Sequence, residues 1–261
     1  MERTLHPVVQ HRINWEETGM TREEFVAAYS KADDYTQRAM IESVPLWTNP
    51  KWLELRAGRF GCSRAAEFLA DPATKAAKEA GEMGETAKKT AYMVMATHLT
   101  SWREPEPSLT QKCAVKRGLI FEPTARALAE KKLGITIKEA GIFTYGDWFC
   151  YSPDGLDAND PETGFEIKTY EPAHFYETIM TAGDRKVQMQ MQMQMRVGGL
   201  KRIFLVLYCP EVDPDNVFVL RYTRGTKYQA QFEKREVQMI EYIAQVQAQV
   251  QTGEILIPGE D

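Results

Sequence analysis

The segment from Ser152 to Lys168 constrains this chain more than any other part of it. It begins with Ser-Pro-Asp-Gly, which combines proline and Asp-Gly turn signals, and it ends with Glu166-Ile167-Lys168 in a β-like run. Side chains two residues apart on a strand project from the same face. Glu166 and Lys168 are therefore expected side by side, with Ile167 turned toward the core. The preceding turn is expected to deliver Asp154 beside them.

Carboxylates that converge in this way predict a cation site. Two carboxylates meeting at one point bind a hard divalent cation such as Mg²⁺. A lysine beside the cation can orient a water or help to deprotonate it, while the cation stabilises charge on a phosphoryl oxygen. This is the physical logic of the PD-(D/E)xK nuclease core. The bare pattern also arises by chance, in which case Asp154 is a surface turn residue and Glu166 and Lys168 form an ion pair.

The remaining composition is that of an ordinary globular protein. Hydrophobic residues make up 43% of the 261 residues and charged residues 26%, which argues against disorder. No window approaches about 18 consecutive apolar residues. The N-terminus lacks a basic stretch followed by an apolar run. We therefore expect neither a membrane span nor a signal peptide, and a cytoplasmic location.

Net charge and cysteine spacing only partly restrict what this chain could bind. The net charge of −5 does not advertise nucleic-acid binding, although it leaves room for local basic clusters such as Lys112, Lys116 and Arg117. Such a cluster is more often a solvated face than a phosphate site. The four cysteines are widely separated and form no CxxC pair, so we expect isolated buried thiols rather than a zinc or iron–sulfur site.

The order of predicted elements indicates an α/β protein. Thr21 and Glu24 form a capping-box pattern, Ser63 is a plausible N-cap, and Gly134 is a good helix stop. The alternating run 185–197 has a strand period, but its Gln and Met residues favour a helix. The predicted helices cover 22–33, 36–43, 64–70, 111–133, 185–197 and 226–251. The predicted strands cover 135–144, 147–152, 164–169, 202–209 and 216–222. We therefore expect a central mixed β-sheet flanked by helices.

Several blocks occur in an order that resembles a known family. They are Trp52, Leu55, Arg56 and Gly58 followed by Ser63; Gly118 and Glu122; the SPDGL segment with Glu166-Ile167-Lys168; Gln190 and Gln192, which lead into a strand and Tyr208-x-Pro210; and Lys227, Tyr228, Ala230 and Phe232. Together they resemble the phage lambda exonuclease family of viral-type recombination nucleases, which belongs to the PD-(D/E)xK superfamily. The resemblance covers roughly residues 50–250.

The resemblance implies a metal-binding and catalytic role for each matched residue of the central block. Asp154 and Glu166 would bind Mg²⁺, or Mn²⁺ in its place, with the carbonyl of Ile167 as a further ligand. Lys168 would position the water. Glu122 would join the metal shell or orient the water. In the alternative interpretation, Glu122 is only a first-turn charge that complements a helix dipole.

The resemblance also implies contacts outside the metal shell. Gln190 would contact the site from its helix, and Arg56, with Ser63 and Ser152, would hold a 5′-phosphate. A guanidinium fork suits a terminal phosphate, and hydroxyls add donors. The plainer alternatives are a surface ion pair for Arg56 and a solvent-facing side chain for Gln190.

The function that the resemblance implies is a Mg²⁺-dependent 5′→3′ exonuclease. It would degrade one strand of linear double-stranded DNA to mononucleotides and leave a 3′ single strand for phage-type homologous recombination. A ring-shaped homo-oligomer, a trimer in that family, a single-strand annealing partner and a phage or prophage origin are implied as well. Residues 49–261 would form the exonuclease domain. Residues 1–48 are extra relative to the lambda member and are expected to form a helical extension without an assigned role.

Two other functions stay open at the level of the sequence. One is a structure-specific or nicking endonuclease on the same core. The other is a non-catalytic DNA-binding module that keeps the fold. The intact set of Asp154, Glu166 and Lys168 argues against the second, because loss of one of them would be the expected mark of decay.

Overall fold

A computed structural model describes residues 1–8, 11–100, 102 and 108–253. Its helices are α1 (Trp15–Thr18), α2 (Arg22–Tyr29), α3 (Asp34–Ser43), α4 (Pro50–Arg56), α5 (Ala65–Phe68), α6 (Lys75–Glu79), α7 (Glu85–Leu99), α8 (Leu109–Leu133), α9 (Pro172–Met180), α10 (Arg185–Gly198) and α11 (Thr226–Thr252). Its strands are β1 (Arg3–His6), β2 (His11–Ile13), β3 (Leu46–Thr48), β4 (Phe60–Gly61), β5 (Ile137–Lys138), β6 (Ile142–Tyr145), β7 (Phe149–Tyr151), β8 (Gly155–Asp157), β9 (Thr163–Thr169), β10 (Arg202–Tyr208) and β11 (Phe218–Thr223). No described helix has both the length and the apolar character needed to cross a membrane.

The strands pair into two mixed sheets and a ribbon. The larger sheet has the order β11-β10-β9-β8-β5, in which β9 and β10 run parallel and every other neighbouring pair runs antiparallel. The smaller sheet has the order β1-β6-β7-β4, with β4 and β7 parallel. The ribbon pairs β2 with β3. The predicted class, α/β with a mixed sheet flanked by helices, is confirmed.

Local capping signals start and end the helices. At α2 the Thr21 side chain accepts a hydrogen bond from the Glu24 backbone N–H. The Glu24 carboxylate in turn accepts one from the Thr21 backbone N–H, as the capping box predicts. Gly134 ends α8 in the left-handed region with φ of 67°. The prediction for Ser63 is wrong: it lies in a 3₁₀ turn, and the N-cap of α5 falls on Arg64 with no side-chain cap.

Helix α10 confirms the prediction for the alternating Gln/Met run. It packs as a helix buried on several sides, since Met191, Met193 and Met195 are each 1% exposed or less. The methionines join the larger core cluster, and α10 thereby lies against the face of β9 that carries Glu166. The opposite face of β9 packs Ile167 against α8, so the predicted inward orientation of Ile167 is confirmed.

The strands around the Asp-Gly turn differ from prediction. The run 135–144 is two strands in two different sheets, because β5 pairs with β8 whereas β6 pairs with β1. The turn itself leads directly into β8 at Gly155. A Cβ on Gly155 would overlap the Ile137 side chain, so the absence of a side chain there lets β8 lie close to β5. Asp154 is thereby held immediately before the first residue of β8.

The first 48 residues contribute to both the sheets and the core. Strand β1 adds an edge to the smaller sheet. Phe25, Tyr29 and Ile41 of α2 and α3 are buried in one cluster with Phe121 of α8. Helices α2 and α3 of this segment were predicted, but α1 and the three short strands were not. A strand of three or four residues has too little alternation to be recognised, and only its pairing partner defines it.

A buried ion pair joins this N-terminal segment to the larger sheet. Arg117 of α8 is 6% exposed and donates to the Glu211 carboxylate at 2.7 Å and to the Tyr29 hydroxyl at 2.8 Å. It also donates to the carbonyls of Thr169 at 3.0 Å and Tyr170 at 3.1 Å, at the end of β9. The interpretation of Arg117 as a solvated surface charge is therefore wrong. Burial alone would raise the pKa of Glu211, but bonds from Arg117 and Tyr29 outweigh it and lower the pKa to about 2.

We predict that Glu211→Gln lowers the free energy of unfolding by about 3 kcal/mol at neutral pH, because it leaves the buried Arg117 without its counter-charge. Folding lowers the pKa of Glu211, so its contribution is present above the ordinary value of 4.5 and is lost as the pH falls toward 2. Denaturant unfolding at a series of pH values measures this. Glu233→Gln, at an exposed site on α11, is the matched control. Equal stability of the two variants at neutral pH would contradict the prediction.

Candidate active site

The predicted site residues surround one open cavity. The cavity has a volume of about 700 Å³ and lies between α8, the turn before β8, the end of β9 and the N-terminal ribbon. Its wall includes these residues of the sequence-predicted set: Glu122, Ser152, Asp154, Ile167, Lys168 and Gln190. Glu166 is not part of this wall; it is 5% exposed and contacts Lys168, which is part of it.

Asp154 is held against β9 by the backbone. Its Oδ2 accepts a hydrogen bond of 2.6 Å from the backbone N–H of Ile167. Burial raises the pKa of Asp154 well above its ordinary range, and the nearby charges of Glu166 and Glu122 raise it further. Lys168 and the Ile167 N–H oppose this rise without cancelling it. The net result is that the pKa of Asp154 stays raised, mainly because the side chain is buried.

Glu166 has partners on both carboxylate oxygens. Its Oε1 lies 2.5 Å from the Lys168 ammonium and accepts a hydrogen bond of 2.9 Å from Gln190. Its Oε2 accepts one of 2.7 Å from Gln194. Burial alone would lower the pKa of Lys168, but the carboxylates of Glu166 and Asp154 outweigh it and raise the pKa above its ordinary value. Lys168 is therefore a permanent ammonium at neutral pH.

The helix α10 supplies one residue that sequence reasoning missed. Gln194 follows Gln190 by one helical turn, so both amides reach Glu166 from the same helix face. The solvent-facing interpretation of Gln190 is not what the structure shows. Gln192 lies on another face and bonds to the Thr223 carbonyl and the Gly225 N–H. The i, i+4 spacing of the glutamines was the available signal, once the run is known to be a helix.

Glu122 projects into the cavity from the middle of α8. It pairs with Arg126 one turn later. Burial is the main reason that the pKa of Glu122 is raised; Arg126 opposes this, while the charges of Glu139 and Glu166 add to it. The first-turn interpretation is wrong, because α8 begins at Leu109 and has no acidic residue in its first turn. The sequence analysis also missed Arg126, which lines the same wall.

The oxygen ligands of the site suit a hard divalent cation that is held by only a few protein groups. Among the described residues, no group of three or more His, Cys, Asp or Glu side chains is arranged to hold a metal ion. Mg²⁺ is usually held by one or two carboxylates and keeps several waters. Asp154 and Glu166 fit that pattern, and a dication beside them would offset the burial and the neighbouring carboxylates that raise the pKa of Asp154. The residues present therefore fit a Mg²⁺ site.

The three residues predicted to hold a phosphate are not brought to one place. The Arg56 guanidinium lies 5.0 Å from the ring centroid of Trp52, whose Nε1 donates to the Ser152 hydroxyl at 3.4 Å. Ser152 lines the cavity, whereas Arg56 does not. Within the described part of the chain no carboxylate forms an ion pair with Arg56. Ser63 is exposed and does not line the cavity.

The N-terminal segment forms part of the cavity wall, although its sequence contains no recognised motif. His11, Arg12, Trp15 and Arg22 all line it. The Arg22 guanidinium donates to the Ile120 carbonyl at 2.8 Å and thereby fixes α2 against α8. No periodicity in this segment indicates such a role, because the residues converge only through tertiary packing.

Known structures share this fold. An alkaline exonuclease from Laribacter hongkongensis matches at 22% identity with a TM-score of 0.61, and its complex with dAMP matches at 23% identity with a TM-score of 0.62. Each match covers 79% of this chain and 100% of the other. A phage-related exonuclease from Haemophilus somnus 129PT matches at 14% identity with a TM-score of 0.56, covering 76% of this chain and 98% of the other. These identities support likeness of fold.

Sequence comparison supplies the family. None of the curated proteins matches this sequence. Residues 51–201, which include α8, the turn before β8, all of β9 and all of α10, match the YqaJ-like viral recombinase domain. The match covers more than half of the chain and contains Glu122, Asp154, Glu166 and Lys168. The resemblance predicted from the sequence blocks is thus confirmed, and the chain belongs to the family of YqaJ-like viral recombinase domains.

Proposed function

We propose that this protein is a Mg²⁺-dependent 5′→3′ exonuclease that degrades one strand of linear double-stranded DNA to mononucleotides. The observation that carries the proposal is the convergence of Asp154, Lys168 and Glu122 on one open cavity, with Glu166 paired to Lys168. Its fold is shared with proteins described as exonucleases. The recombinase family supports a place in homologous recombination, with the 3′ single strand as the useful product.

The side chains divide the work of phosphodiester hydrolysis. Asp154, Glu166 and the Ile167 carbonyl would hold Mg²⁺, which supplies stabilisation of negative charge on the phosphoryl oxygens. Lys168, charged at neutral pH, donates a hydrogen bond to the attacking water and orients it. Glu122, whose pKa is raised mainly by burial, would accept the proton of that water.

Residues behind this cluster position it. The amides of Gln190 and Gln194 fix both oxygens of Glu166, so the carboxylate cannot rotate away. Arg56, beyond Trp52, would receive the 5′-phosphate with Ser152 on the cavity side, and Ser63 would assist only from the outer surface. Residues 49–261 would form the exonuclease domain, and residues 1–48 an extension that completes the wall of its cavity.

The proposal includes an assembly and a biological setting. A ring-shaped homo-oligomer, a trimer, would keep a chain of net charge −5 on a polyanion by encircling it, with basic residues facing the DNA. The exposed 3′ strand would pass to a single-strand annealing protein. The viral-type family supports a phage or prophage origin and action inside the bacterial host cell.

The Asp154→Asn variant is expected to bind DNA ends and to release nucleotides at least about 100-fold more slowly than the wild type, because it loses a metal-binding carboxylate. The amide oxygen can still accept the hydrogen bond from Ile167, so the fold is kept. Release of acid-soluble nucleotide from a 5′-phosphorylated linear duplex measures the rate. Asp147→Asn, at an exposed turn residue, is the matched control. Unchanged hydrolysis by Asp154→Asn would remove the site assignment.

Thermal denaturation separates metal binding from activity. Folding raises the pKa of Asp154, so without metal its ionisation costs stability as the pH rises above the ordinary value of 3.8. Metal-free Asp154→Asn is therefore expected to melt about 2 to 4 °C above the wild type at pH 8, with no difference at low pH. Adding Mg²⁺ should raise the midpoint of the wild type and of Asp147→Asn only. An equal rise in Asp154→Asn would show that Mg²⁺ binds elsewhere.

A covalently closed DNA circle discriminates between the proposed function and its alternatives. We expect release of mononucleotides from linear duplex DNA in Mg²⁺, none in EDTA, and an intact closed circle, because hydrolysis needs an end. A label at the 5′ terminus should be released before a label at the 3′ terminus. Linearisation of the circle would instead identify an endonuclease on the same residues. Binding without cutting of either substrate would identify a non-catalytic module.

A further inference from the structure

The N-terminal ribbon carries a cation and an aromatic ring side by side, and the cation, Arg12, lines the cavity. Arg12 of β2 is directly paired with Trp47 of β3, and its guanidinium lies 4.3 Å from the ring centroid of Trp47. Arg12 is exposed and lines the cavity, and Trp47 is 38% exposed. An indole ring that remains this exposed beside a cation is not simply a part of the hydrophobic core.

The two faces of the ribbon differ in their partners. His11 and Ile13 alternate with Arg12 along β2, and His11 turns to Trp52, 5.0 Å away between ring centroids. Burial, with a smaller contribution from Arg56, lowers the pKa of His11 to about 4, so it is neutral at neutral pH. The positive charge that the ribbon brings to the cavity is therefore that of Arg12.

The charge of Arg12 is available to a ligand. In the described portion of the chain no carboxylate lies within ion-pairing distance of Arg12, and its recorded contact is the ring of Trp47. Arg126 and Arg22, on the same wall, are already engaged with Glu122 and with backbone of α8. A ligand that extends from this cavity to the ribbon would meet the Arg12 guanidinium with the exposed Trp47 ring beside it, while Asp154 and Lys168 line the same cavity.

We propose that the Arg12–Trp47 pair is a nucleotide-binding subsite for the DNA strand that enters this cavity: Trp47 stacks on a base, and Arg12 contacts the adjacent phosphate. Aromatic stacking accepts every base because each has a π-face, and a guanidinium matches a phosphate oxygen pair. The subsite rests on the proposed nuclease function, since it describes how the same cavity holds its substrate. It gives the N-terminal ribbon a part in substrate positioning.

Binding is measured by fluorescence anisotropy with a short 5′-phosphorylated duplex that carries a 3′-fluorescein, in Mg²⁺ and in the Asp154→Asn background. Trp47→Ala is expected to weaken binding about 5- to 150-fold, the range found for the loss of one stacked base. Trp47→Phe should restore most of it. Arg12→Gln should reduce the slope of log K against log salt by about 0.9, the value for one lost phosphate contact.

An abasic site moved along the 5′ end of the labelled strand locates the stacked base. Protein with Trp47 should lose affinity strongly at one position, and the Trp47→Ala variant should be insensitive at that position. A ribbon that serves only as structure would not produce this pattern. Tyr35→Ala and Arg38→Gln, at exposed positions of α3 outside the cavity, are the matched controls, and melting curves verify that every variant is folded.

Binding by Trp47→Ala and Arg12→Gln equal to that of the controls would overturn the subsite. A loss of affinity with the salt slope unchanged and with no position-specific response to the abasic site would overturn it as well. The nuclease function fails by a different result, which is the absence of nucleotide release from linear duplex by the wild type. The anisotropy data therefore test the subsite whether or not the wild type releases nucleotides.

Discussion

Glu166 is a carboxylate in the interior of the protein, and the site depends on how that charge is held. An isolated buried carboxylate would be protonated or would destabilise the fold, so its oxygens need donors. Lys168 provides one from the same strand, and Gln190 and Gln194 provide two from α10. The bonds fix the position of α10 relative to β9 as much as they fix the side chain. Burial raises the pKa of Asp154, and the charge of Glu166 close by raises it further.

The N-terminal segment and β9 are parts of one packed unit. Arg117 reaches the carbonyls at the end of β9 and, in the other direction, the hydroxyl of Tyr29 on α2. The ion pair with Glu211 stabilises the guanidinium in the interior, because a buried charge without a partner is strongly unfavourable. A chain that lacked α2 would lose a donor of this network and a wall of the cavity. We infer that the first residues support the site rather than merely precede it.

The sequence predicted most of the helices and the chemistry of the central block, but it did not predict how the strands divide. The capping box at Thr21 and the stop at Gly134 are local signals, and both hold in the structure. The run 135–144 predicts one strand interrupted by Gly141, and only the pairing of β5 with β8 and of β6 with β1 reveals the change of sheet. Ser63 illustrates the opposite failure: a good N-cap residue stands where packing produces a 3₁₀ turn instead.

The sequence by itself determined the residue types and the spacing that make this chemistry available. A turn that ends in Asp154, a strand that carries Glu166 and Lys168 on one face, and a helix that presents glutamines at one-turn spacing are all encoded within short stretches, since local periodicity sets which side chains share a face. Only the tertiary structure decided that Gln194 reaches Glu166, that Glu122 projects from mid-helix, and that Arg12 lines the same cavity. Such contacts join residues far apart in the chain, and they exist only once burial of the apolar faces has brought α8, α10 and the N-terminal ribbon around β9.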